Sequence, residues 1–408
     1  MTETLKARDA QDVGNALQWV FGEGRRLEIV GQGSKRRLGR PVEADVVLEL
    51  SALSGVKLYE PEELVLSAQA GTPLAEIEAT VAASGQQLAF EPMDYGPLLG
   101  APAGGGTLGG VVAANLSGPR RIKAGAARDH VLGFSAISGR GETFKSGGRV
   151  VKNVTGFDFC KLMAGSWGTL AAMTEVTIKT LPRPETEGTV VLHGLDDATA
   201  TRVMTTAMGS TCDVSGAAHL PAATAAAFAP AAAIASGRAL TVLRLEGVAP
   251  SVAYRRSALQ QALGSYGEVV AIEDMLSRQL WLAIRDVAAF AGRHVERPVW
   301  RVSTAPMLGH ALAARITRVI EAEVLYDWAG GLAWIMTPPA EDAAESLVRA
   351  AVKAVGGHAM LARGSVAQRT SLDVFEPQDA GLAALTRRVK ESFDPKGLLN
   401  PGRMWAHG

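Results

Sequence analysis

Two glycine-rich tracts carry the clearest chemical signal in the chain: VGQGSKRRLG at 30–39 and GAPAGGGTLGGVVAANLSGPRR at 100–121. Glycine lets backbone N–H groups converge on an anion at close range, because no Cβ blocks the approach. Two such loops, joined by a strand-helix-strand pattern, predict a diphosphate clasped from both sides. Gly104, Gly106 and Gly109 also spell G-x-G-x-x-G, with the acidic Asp129 downstream. A dinucleotide-binding βαβ unit needs a strand before its first glycine and a helix opening at its last. Here FEPMDYGPLLGAPAG precedes the motif and is turn-forming, and RRIKAGAAR before Asp129 is not a strand. That reading fails on context. A phosphate loop of the G-x-x-x-x-G-K-[ST] type is absent.

The elements that must hold these loops follow from periodicity. Val13, Leu17, Val20 and Phe21 predict one face of a helix over 9–21, followed by strands RRLEIVG, ADVVLEL and EELVLSAQAG. Thr72 is read as a cap and Pro73 as the first residue of a helix that buries Leu74, Ile77 and Val81 and stops at Gly85. Short strands and tight turns lead to LAAMTEVTIKTLPRP. Beyond Pro184 the pattern becomes strand GTVVLHGL, helix 196–209, strand 213–219, strand ALTVLRLEG, helix 251–263 and strand GEVVAIE. After a helical connector it repeats: PVWRVST, helix 307–320, EVLYDW, GLAWIMT, helix 341–355 and HAMLAR. Both runs read βαββαβ, the ferredoxin-like order, and side by side they predict one continuous sheet. A last helix, 379–393, places Leu382, Leu385, Val389 and Phe393 on one stripe.

The 408 residues are 47% hydrophobic and 20% charged, enough chain for two or three domains with a real core. Lys plus Arg and Asp plus Glu both count 41, so the excess basic charge of a nucleic-acid binder is missing. No secretory leader is read at MTETLKARDAQDVGNALQWV, and no transmembrane segment is expected. The alanine-rich stretch AAHLPAATAAAFAPAAAIASG reads as a low-complexity loop or loose helical insertion. Cys160 and Cys212 read as buried thiols in a reducing, cytoplasmic setting.

Taken together, IVGQGSKRRLG, SAQAGTPLAEIEATVAASGQQLAFEP, TLGGVVAANLSGPRR, the tract from Ala127 to Ile178 and DPKGLLNPGRM resemble the FAD-binding domain of the vanillyl-alcohol oxidase / p-cresol methylhydroxylase (PCMH) family. The resemblance implies an α+β fold: a two-subdomain PCMH-type FAD-binding domain over 1–184 and a cap with two ferredoxin-like units in an antiparallel sheet over 185–378. A helix and tail over 379–408 would return to the FAD domain. It implies that Gly31, Gln32, Gly33 and Ser34 form the first pyrophosphate loop and Thr107, Leu108, Gly109 and Gly110 the second. Asn115 and Gly118 would near the flavin ring, Gly168 and Ala172 the adenosine half, and Asn400 the isoalloxazine edge. No histidine precedes His130, so non-covalent FAD is expected.

Within the family the chain is most similar to FAD-binding subunits of glycolate dehydrogenases (glycolate oxidases). That implies oxidation of a small 2-hydroxy acid, with a homologous FAD subunit and an iron–sulfur subunit as partners and attachment to the inner face of the membrane through the complex. Two other readings stay open: a stand-alone 2-hydroxy-acid dehydrogenase, and a scaffold that only assembles the complex. Such oxidation needs a base for the hydroxyl proton and a cation for the carboxylate. His358 and Arg363 in GGHAMLARG are the candidate pair, with Arg301 as a second cation. No H-x-H or other paired ligand set occurs among the seven histidines, so no metal is expected. Lys152 and Asn153 are read as lining the flavin site. Trp328 and Trp334 are read as cap or interface aromatics, and RRIK as a solvated basic cluster.

Overall fold

The computed structural model describes residues 3–148 and 157–406. Lys152 and Asn153 lie outside the described residues. The helix Ala10–Glu23 begins where Asp9 accepts the Asp12 amide at 2.8 Å and ends at the left-handed Gly24. Its buried face of Val13, Leu17 and Val20 packs on a small parallel sheet. In that sheet Val46–Glu49 lies between Glu3–Lys6 and Leu27–Val30. The chain leaves Leu27–Val30 directly into the first glycine tract.

A second sheet is antiparallel, in the order Val56–Glu60, Val65–Gln69, Ala171–Lys179, Val131–Ser138 and Thr143–Gly147. The helix Leu74–Ala83 covers one side, with Ile77 and Val81 buried. Thr72 is not its cap. The Thr72 hydroxyl donates to the Gln69 carbonyl at 2.7 Å and accepts the Gly55 amide at 2.9 Å, and Pro73 takes the cap position with no side-chain bond.

The remaining sheet has eight antiparallel strands: Val269–Glu273, Thr186–His193, Leu240–Gly247, Gly216–Leu220, Glu323–Asp327, Leu332–Met336, Val299–Ser303 and His358–Arg363. Each four-stranded half has its first strand between the third and fourth, which is the ferredoxin-like arrangement expected from the sequence. The halves join edge to edge through their second strands, where His219 pairs with Tyr326. The alanine-rich stretch is no loose loop: it finishes the strand Gly216–Leu220 and forms the short helices Ala222–Ala225 and Ala229–Ala235, with Ala225, Ala231 and Ala235 buried. Small side chains let these helices approach the sheet closely.

Cys160 and Cys212 are buried free thiols in separate core clusters. The helix Ala380–Phe393 turns Val389 and Phe393 inward, but Leu382 and Leu385 stay exposed, so only half of the expected stripe is covered. Among the described residues no helix is long and apolar enough to cross a membrane.

Candidate functional site

The two glycine tracts meet. A Cβ on Gly31 would lie 2.4 Å from Thr107 Oγ1, so only glycine fits there. Thr107 caps the short helix Leu108–Ala113, its hydroxyl accepting the Gly110 amide at 3.3 Å. The Leu108 and Gly109 amides are already taken by the carbonyls of Thr72 and Ala70, at 3.0 and 2.7 Å. Those two residues therefore anchor the second tract to the turn that follows the strand Val65–Gln69 rather than offering N–H groups to an anion. Among the described residues, the amides of Gly31 and Gln32 have no protein acceptor. The G-x-G-x-x-G motif sits in a loop where Gly104 donates to Asp94 Oδ2 at 2.6 Å, without a preceding strand.

An open cavity of about 750 Å³ runs between the tracts. Gly31, Gln32, Gly33, Ser34, Thr107, Gly109, Gly110, Gly168 and Asn400 all line it. The side chains of Leu108 and Ala172 instead enter the cores beneath it.

Sequence reasoning missed two residues of this cavity, Lys35 and Arg403. Lys35 lines it, bonded to Ser34 Oγ at 3.2 Å, and burial pushes its pKa down to about 8. Arg403 lines it too and donates to the Lys35 carbonyl at 2.6 Å, so the C-terminal segment grips the first tract. Asn400 joins three parts of the chain: Oδ1 accepts the Ile29 amide and Nδ2 donates to the Trp167 carbonyl, each at 2.7 Å.

A second cavity adjoins the first through the shared residues Ala114 and Trp167. Asn115 and Gly118 line this one, together with Tyr95, Arg121, Arg301, Asp327, Trp334 and His358. Period-two alternation brings the cap residues together. Arg301 pairs with both Trp334 and Met360, and Asp327 with Leu332, so these side chains share one sheet face with His358. A register shift between Val299 and Trp300 breaks the alternation, so Arg363 pairs with Val299 and stays on the face of Arg301 and His358, at the far end of the strand. Its guanidinium donates to the carbonyls of Arg297, Phe290, Leu98 and His294, and it is a structural cation rather than a partner of His358.

Of the RRIK cluster only Lys123 is exposed as expected. Arg120 joins a buried network with Glu91, Arg244 and Glu246 that ties the flanks of the second cavity together. Arg121 lies 4.3 Å over the Trp328 ring, and Trp328 Nε1 donates to the Gly118 carbonyl at 3.0 Å. Trp328 is therefore an interface aromatic, as expected, and also a platform for a cation.

Residues 3–147 match the model of an FAD binding domain, and residues 375–404 match the C-terminal domain of FAD linked oxidases. Over 390 residues the chain is 34% identical to glycolate oxidase subunit GlcE of Escherichia coli (strain K12), with 93% of each chain covered. The chain belongs to the FAD-linked oxidases. It is also 31% identical over 182 residues to glycolate oxidase subunit GlcD of Bacillus subtilis (strain 168), spanning 44% of this chain and 37% of that one. The structure of p-cresol methylhydroxylase with substrate bound superposes with a TM-score of 0.72 at 12% identity, covering 99% of this chain and 88% of that one. That likeness extends the shared fold to the cap.

FAD is thus the cofactor of this FAD-linked oxidase, and the chain is built for oxidoreductase chemistry. The first cavity fits the diphosphate half: it has side-chain-free approaches at both tracts and the Lys35 ammonium against them. The matched C-terminal domain contains Asn400 and Arg403, the residues that close that cavity.

Proposed function

We propose that this chain is the FAD-carrying subunit of a glycolate dehydrogenase complex, which oxidises glycolate to glyoxylate. The observation that supports this best is the likeness to a glycolate oxidase subunit over both the flavin half and the cap. In this reading residues 1–184 hold FAD without a covalent bond, 185–378 form the cap, and 379–408 return to close the nucleotide cavity. Gly31 to Lys35 and Thr107 to Gly110 surround the diphosphate, and the flavin ring extends past Ala114 towards Asn115 and Gly118. Bound flavin supplies a two-electron acceptor. The partners are a homologous FAD subunit and an iron–sulfur subunit, which hold the complex at the inner face of the membrane. A stand-alone 2-hydroxy-acid dehydrogenase is the second reading, favoured by the charged second cavity contained in this one chain.

Two measurements decide. The isolated chain should be yellow, release FAD on denaturation, and lose visible absorbance with glycolate only if it turns over alone. Removing the chain from the complex should abolish glycolate oxidation. Full activity of the remaining subunits would refute the proposal.

A further inference from the structure

The second cavity holds more charge than a flavin ring requires. The guanidinium carbons of Arg121 and Arg301 both lie over the Trp328 ring, at 4.3 and 4.9 Å from its centroid, and that of Arg301 is 5.8 Å from the Trp334 centroid. A guanidinium held over an aromatic face by cation–π attraction still has N–H donors to offer a carboxylate. Neither arginine has an ion-pair partner among the described residues. Asp327, at the end of the cap strand Glu323–Asp327, lines the same cavity; it is buried and has one oxygen accepting the Trp328 amide at 2.7 Å. The backbone then passes through left-handed conformations at Trp328 (φ 51°), Ala329 (φ 56°) and Gly330 (φ 94°). Two non-glycine residues in that region are strained, and such strain clusters where a site holds a group in place.

We infer that this cavity is a carboxylate-substrate site complete within this chain, in which Arg121 and Arg301 bind the carboxylate and Asp327 takes the proton of the adjacent hydroxyl. The inference rests on the proposed function, and it assigns the chemistry to residues of this subunit. In the step, the hydroxyl O–H bond breaks and its proton passes to Asp327. The C–H electron pair would leave as hydride, for which bound flavin would be the two-electron acceptor. The 2-hydroxy acid becomes a 2-oxo acid, oxidised by two electrons.

The environment suits a base working near neutrality. Burial raises the Asp327 carboxyl to about 7; the Trp328 amide opposes this, the Glu91 charge adds to it, and Arg244 and Arg301 oppose it. The other ionisable groups lining the cavity are Tyr95, Arg121, Arg285, His358 and Glu376. Burial, then Arg301 and Arg121, lower the His358 pKa, so that side chain is neutral at pH 7 and does not compete for the carboxylate. Glu376 is held by Arg349 and by the Ala359 amide.

The test uses the flavin-loaded full chain and oxalate, a dicarboxylate that cannot be oxidised by this route. Calorimetry should show oxalate binding that weakens at least about 10-fold in Arg301→Ala and in Arg121→Ala, with flavin content unchanged. Wild-type binding should weaken as pH rises through about 7, because Asp327 becomes an anion beside the ligand. Asp327→Asn should bind oxalate without that pH dependence, while flavin reduction by glycolate slows by about 10²–10⁴-fold in stopped-flow. Equal oxalate affinity in wild type and Arg301→Ala overturns the carboxylate site. An undiminished reduction rate in Asp327→Asn overturns the base. A flavin-free chain that still binds oxalate through Arg301 upholds the site while overturning the cofactor reading, so the two failures are distinguishable.

Discussion

Glu91 and Arg244 form a two-pronged ion pair, at 2.9 and 2.8 Å, between the loop after the helix Leu74–Ala83 and the cap strand Leu240–Gly247. Both side chains are buried, and Glu91 also accepts the Arg120 amide at 2.7 Å. Removing one partner strands a charge out of water. Glu91→Ala should therefore destabilise the chain by about 3–5 kcal/mol in chemical denaturation, far more than an exposed pair would. A loss below 1 kcal/mol would show that water reaches Arg244.

The same network predicts an acid limit. Glu246 is pulled down to about 2, burial being outweighed by Arg244 and Arg120. A depressed carboxylate stabilises the fold above its ordinary range near 4.5, and that contribution is lost as pH falls from there towards 2. Stability measured between pH 6 and pH 3 should fall in wild type, and fall less steeply in Glu246→Gln.

Gly31→Val should abolish FAD binding with the fold retained. Its side chain would occupy the 2.4 Å space against Thr107 Oγ1, forcing the two tracts apart. The ratio of flavin absorbance to protein should drop at least about 10-fold at equal circular dichroism, by analogy with the cost of overpacking a closed site.

Lys35 makes FAD affinity depend on pH. Its ammonium loses its proton near pH 8, so the bare cavity is less positive above that value. Diphosphate favours the charged form, and FAD binding should take up a proton there and weaken from pH 7 to pH 10. Lys35→Met should weaken binding at pH 7 and flatten the pH dependence, measured by flavin fluorescence.

Asn400→Ala removes two buried hydrogen bonds, to the Ile29 amide and the Trp167 carbonyl, and leaves both groups without a partner. A loss of about 2–4 kcal/mol is expected, together with faster flavin release. Asn400→Asp would keep the acceptor and lose the donor, recovering part of the effect.

What could be read from the chain before folding was local. Glycine density marked both tracts that line the first cavity, and the alternation of βαββαβ marked the cap. The second cavity was not legible as a unit, because Asp327, Arg301 and His358 share a sheet face only through strand pairing. Arg363 misled by proximity in sequence: it lies beyond a register shift at the far end of the strand, where four carbonyls take its guanidinium. RRIK looked like solvent-facing charge because its acidic partners, Glu91 and Glu246, lie elsewhere in the chain. The grip of Arg403 on the Lys35 carbonyl had no signal beyond an arginine near a glycine.

That grip orders events in time. The loop 31–35 leaves the ribosome early, whereas Asn400 and Arg403, which fasten it, are translated hundreds of residues later. A nascent chain therefore carries an open nucleotide cradle for most of its synthesis. Closure of the cavity between the two glycine tracts waits for the tail.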